Sequence, residues 1–171
     1  FPCADNVLAE DSQEQEMSIQ DNVGQLVVTV TESWESSRGK LRCYVREGKN
    51  SWEPVFDEAV PVLLGSNGLA WGRGVLVGKG TRIKREGDQC APAGVFRIGK
   101  IYGEPKSLPE QSKYPYHQIT EWDAWVDDPM SPLYNRHVRI DPSGKVPSWF
   151  QSQRMRLVDP AYRWLIEIRH N

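Results

Sequence analysis

Cysteine is scarce in this 171-residue chain: Cys3, Cys43 and Cys90 are its three, and no CxxC pair occurs. The three histidines, His117, His137 and His170, lie far apart along the sequence. Neither pattern has metal-ligand spacing, so no metal site and no cofactor are expected. In an exported protein an odd cysteine count means one disulfide plus a free thiol, or a thiol with an outside partner, and the pairing stays open. No apolar run approaches the roughly 18 residues that cross a bilayer, so no membrane span is expected. Lys and Arg number 21 against 23 Asp and Glu, a net charge of −2. That balance gives no field that would select nucleic acid or an anionic membrane. Long helices are excluded as well, because 14 Gly and 12 Pro interrupt the chain too often for an all-α bundle.

What is present is aromatic bulk: seven Trp and six Tyr in a chain of one domain's size. Residues 1–20 are acidic and polar, and no basic residue precedes Arg38, which describes a flexible N-terminal arm ahead of a domain over 21–171. From residue 25 the period becomes that of a sheet. Residues 25–31 (QLVVTVT) and 40–46 (KLRCYVR), separated by a Ser/Gly turn, read as paired antiparallel strands. Residues 52–56 and 60–64 read as short strands, the second near an edge because it contains Pro61. Ten of the 14 glycines fall between Gly65 and Gly103, which predicts tight turns crowded into one region. Residues 95–101 and 162–168 (YRWLIEI) read as later strands, the second apolar on both faces and therefore buried. The region between them reads as irregular apart from a helix over 148–155 with Ser148 as its N-cap. The expectation is a mainly β sandwich or barrel with minor helix.

Several motifs reduce to structural roles. Gly72-Arg73-Gly74 and Gly78-Lys79-Gly80 have the wrong spacing for a phosphate loop. Asp127 and Asp128, with Asp123 upstream, suggest cation binding, but adjacent residues of an extended segment point apart and Asp128 precedes Pro129, a turn start. Cys90 follows Lys84 and Arg85, whose charges favour a thiolate, yet it would need a histidine base to act as a nucleophile. His170 at a strand exit reads as a solvated turn residue.

Taken in order, five segments resemble the L,D-transpeptidase (YkuD; ErfK/YbiS/YcfS/YnhG) family in its branch of larger exported proteins. Trp34 and residues 41–44 resemble its opening hairpin, and residues 52–55 with 61–74 (PVLLGSNGLAWGRG) resemble its "lGxnGlaWGxG" segment. Residues 84–103 (KREGDQCAPAGVFRIGKIYG) resemble "KxEGDGxxPAGxFxlgxxfG", and 114–135 (YPYHQITEWDAWVDDPMSPLYN) resemble "lpYxxxtxxdxWxDDpxsxxYN". Residues 162–171 resemble the strand and "HN" turn that follow. The resemblance implies an L,D-transpeptidase-type β domain, periplasmic or extracellular with its signal peptide removed, acting on peptidoglycan stem peptides. It implies acyl transfer through a cysteine thiolate, with a histidine base and backbone donors for the oxyanion.

The family places its catalytic His and Cys in "GSaIFlH" and "TxGC" segments downstream of the "HN" turn, and neither is among these residues. No catalytic residue is therefore assigned. Two expectations compete: a truncated transpeptidase, inactive as it stands, or a chain that ends naturally as a non-catalytic cell-wall-binding or secreted interaction domain. An apolar final strand that wants a neighbour on each side favours the first. The substrate-side candidates are Arg85, Glu86 and Asp88 in the "REGD" loop, with Trp125, Asp127, Asp128, Tyr134 and Asn135. Arg85 suits a stem-peptide carboxylate and the acidic residues suit an ammonium group. Nothing in the sequence sets an oligomeric state.

Overall fold

A run of β-branched residues, Val27, Val28, Thr29 and Val30, builds the first strand. In a computed structural model that describes residues 22–49, 51–75, 80–109 and 111–170, the chain is mainly β with minor helix and falls into two compact units divided after Gly68. The expected acidic arm, Cys3, Gly78, Lys79 and Asn171 lie outside the described residues.

In the first unit, β1 (Gln25–Val30) pairs antiparallel with β2 (Arg38–Arg46) from Gln25 opposite Val45 to Val30 opposite Lys40. The far side of β2 is shared by β3 (Trp52–Pro54) at one end and β4 (Val60–Leu63) at the other. β4 is short and carries Pro61, as a strand at an edge should. Gly68 closes the unit with φ +77, and a Cβ there would stand 2.1 Å from the Trp34 carbonyl oxygen, so only glycine fits. A cavity of about 200 Å³ on this sheet is lined by Val28, Val30, Lys40, Arg42, Tyr44 and Ala59 and gathers no acid or nucleophile.

The second unit holds three separate sheets. β5 (Leu69–Trp71) and β6 (Ala91–Ala93) pair in parallel. β7 (Arg97–Gly103) lies between β8 (Tyr116–Gln118), its parallel neighbour, and β11 (Trp164–Arg169), its antiparallel one. β9 (Asp123–Val126) and β10 (Arg136–Arg139) form a hairpin. No barrel closes among the described residues.

Burial sorts the faces of β9. Ala124 and Val126 point to one side with Phe150 of the short helix α1 (Phe150–Gln153), and all three are buried. Asp123 and Trp125 point to the other, where Trp125 and Leu165 pack on the core cluster of Tyr102, Ile119 and Met155.

Three expectations are corrected here. The stretch read as irregular contains β8, β9 and β10, strands of three or four residues too short for their period to stand out. The helix spans Phe150–Gln153, not 148–155, and Trp149 rather than Ser148 sits at its N-cap without a side-chain bond. Pro147 fixes the turn before it by offering its carbonyl to the Phe150 N–H. Finally, β11 is not a buried strand: among the described residues it pairs with β7 alone, at an edge, and Trp164, Ile166 and Ile168 are exposed. Its other face carries Leu165 against the core and Glu167, whose carboxylate accepts the Lys100 N–H at 3.1 Å.

Candidate functional site

Two constellations occupy the second unit. The first joins the "REGD" loop to the loop between β9 and β10. The Tyr134 hydroxyl donates to Glu86 Oε2 across 48 residues of sequence. That bond to a carboxylate raises the Tyr134 pKa, and burial and the nearby Glu86 and Asp127 charges push the same way. Behind Tyr134, the Trp125 indole N–H donates to Asn135 Oδ1 at 3.2 Å. Asn135 itself takes φ +56, a left-handed conformation that asparagine tolerates and that turns the loop into β10. Arg85 is exposed beside Glu86. The structure therefore brings Glu86 and Asp127 to Tyr134, with Arg85 next to Glu86 in the chain, while Trp125 and Asn135 are bonded to each other.

Asp88 and Asp128 serve their own turns. Asp88 accepts from the Arg85 N–H at 2.7 Å, the Cys90 N–H at 2.9 Å and Lys84 Nζ at 2.6 Å. Burial raises its pKa, but these bonds and the Lys84 charge outweigh that and hold it at about 2. Asp128 Oδ1 accepts the Met130 N–H at 2.9 Å, and its carbonyl accepts from Ser131 at 3.0 Å, the turn expected before Pro129. Cys90 Sγ lies 3.6 Å from the Asp88 carbonyl oxygen and 3.7 Å from Arg82 Nη2, while Lys84, one of the cations expected to favour its thiolate, is engaged by Asp88. Cys43 and Cys90 are not joined to each other. His170 is half-buried, edge-on to the Phe96 ring at 6.3 Å, and not the freely solvated residue expected.

The second constellation brings together two histidines that lie 20 residues apart along the sequence. His117 on β8 and His137 on β10 have ring centroids 4.5 Å apart, and both direct Nε2 to Asp123 Oδ1, at 2.7 and 2.6 Å. A carboxylate only accepts, so each imidazole carries its proton on Nε2. Asp123 is 0% exposed, and a buried carboxylate without partners would be costly. Its other oxygen accepts the Thr120 N–H and hydroxyl, each at 2.7 Å. Burial pushes its pKa up, while the bonds from Thr120, His137 and His117 pull further and leave it lowered. His137 is lowered chiefly by burial, with the His117 and Lys100 charges adding to it against the bond to Asp123. Tyr102 lies beside both imidazoles, with centroids at 5.7 and 4.9 Å, and meets Trp125 edge-on.

His117, Asp123 and His137 offer three donor atoms within 4.8 Å of one another, the one group among the described residues that could hold a metal ion. The signal that could have found it is the β9–β10 hairpin register. His137 stands opposite Trp125, one diagonal step from Asp123.

Among the described residues no helix is long and apolar enough to cross a membrane. Compared with protein families, curated proteins and solved structures, the chain matches none.

Proposed function

We propose that the second unit binds peptidoglycan stem peptides as the substrate-side wall of an L,D-transpeptidase-type domain of the cell envelope. The supporting observation is the bond from Tyr134 to Glu86, which draws together two loops that the family resemblance marks independently. In this reading Glu86 and Asp127 face the ammonium group of a stem residue and Arg85 takes a carboxylate as a charge-assisted, bidentate partner. Acyl transfer by a cysteine thiolate belongs to the same reading, but it needs a His/Cys pair of the family type, which is not among these residues. A non-catalytic cell-wall-binding domain uses the same wall without that chemistry.

Sedimentation with purified sacculi tests the reading. The chain is expected to co-sediment, and Arg85→Ala and Glu86→Gln are each expected to weaken binding about tenfold, the loss of one charge-assisted contact. Failure of the wild-type chain to sediment would remove the proposal.

A further inference from the structure

We infer that His117, Asp123 and His137 form a site for one divalent first-row transition cation, with zinc the best match to two imidazole nitrogens and one carboxylate oxygen. The inference does not depend on the peptide-binding reading.

Convergence is the first argument. Each donor comes from a different strand: pairing of β9 with β10 places Asp123 beside His137, and His117 on β8, itself paired to β7, meets them across the packing of Tyr102 on both imidazoles. Both Nε2 atoms already face one carboxylate oxygen, at 2.7 and 2.6 Å. Tetrahedral zinc with bonds of about 2.0–2.1 Å places its ligand atoms about 3.3 Å apart. Each N···O gap would open by roughly 0.6 Å, within reach of small side-chain rotations.

Support and access agree with this. Thr120 holds the far oxygen of Asp123 through two bonds, leaving Oδ1 aimed at the histidines. Such outer partners orient a metal's carboxylate ligand. The Tyr102 ring walls one side of the cluster. His117 and His137 keep 21% and 15% of their side-chain surface exposed, so water can reach the cluster and supply a fourth ligand. Calcium and magnesium fit poorly, because they prefer six or more oxygen ligands. Binding forms two N–metal bonds and one O–metal bond, and each imidazole proton passes from Nε2 to Nδ1 through solvent, with no change of oxidation state.

Without an ion, the same geometry is a purely hydrogen-bonded trio, and the experiment separates the two. Equilibrium dialysis of the 171-residue chain against zinc chloride is expected to give one saturable zinc per chain. His117→Gln and His137→Gln keep an N–H to offer Asp123. Each is expected to weaken zinc binding at least about 100-fold, beyond the 10- to 100-fold typical of an outer-partner loss. Their unfolding midpoints without zinc should stay near that of the parent chain. Absence of saturable binding, or unchanged binding in the double variant, would overturn the inference. Should the variants not fold, cobalt bound to the parent chain decides: a tetrahedral visible spectrum without a thiolate charge-transfer band supports the site, and a thiolate band, which would place the ion on cysteine, refutes it.

Discussion

The two units are written in similar residues and buried very differently. Residues 22–68 form an open sheet on which Val27, Val28, Val30, Val45 and Val60 are all exposed, and the one buried described residue is Gly68. In the second unit Val126, Ala124 and Phe150 are fully buried on a strand and a helix of four residues each. β-branched residues alone therefore do not bury a strand; burial follows from stacking a second layer. In the second unit β9 is covered on both faces: Ala124 and Val126 lie on the side of Phe150 and α1, and the Trp125 and His137 face of β9 and β10 meets the face of β7 and β8 bearing Tyr102 and His117.

The sharpest way to break this contrast is Phe150→Ala. Emptying a fully buried site stacked on Trp122 should cost about 3–5 kcal/mol in denaturant unfolding. Hydrogen exchange should then speed up in β7 and β9 while β1 and β2 keep their protection; equal loss in both units would erase the distinction. Gly68→Ala asks whether the first unit has any intolerant position. Its positive φ and the Trp34 carbonyl in the way predict a loss of about 1–3 kcal/mol, and a neutral result would mean the turn relaxes freely.

A smaller effect lies in acid. Asp88 has a folded pKa of about 2, below its unfolded value, so its contribution is complete above about pH 4 and lost as pH falls toward 2. Among the groups facing it are Lys84 and the Arg85 and Cys90 amides. Asp88→Asn should flatten that acid limb of the stability curve, and an unchanged limb would reassign it. Smallest of all is Leu63→Ala in β4: at 79% exposed, Leu63 should change stability by no more than about 0.5 kcal/mol, and a core-sized loss would reveal a covering layer over this sheet.

The β1–β2 hairpin was legible because QLVVTV is rich in β-branched residues and is followed by a polar turn and a second strand that pairs with it at six positions. β8 and β10 were not, because YHQ and RHVR are short and polar and show no strand period. For β11 the apolar composition was read correctly, but which face is covered depends on where the strand falls in its sheet, and that is a property of topology. The site divides the same way. Asp128 and Asp88 could be read as turn residues from neighbouring Pro and Gly, since both act within four residues of themselves. The Tyr134 bond to Glu86 spans 48 residues, and the histidine pair on Asp123 joins β8 to a separate sheet, so local pattern carries no record of them.

Asp123 also fastens the backbone: its carbonyl accepts the Met155 N–H, while its side chain closes the Thr120 turn and receives two rings. In a saturation mutagenesis screen nearly every replacement there should score as damaging, whatever the residue is for. Intolerance at that codon would carry almost no functional information. The informative codons are those for the two imidazoles, where a screen run with and without a chelator can tell a ligand from a prop.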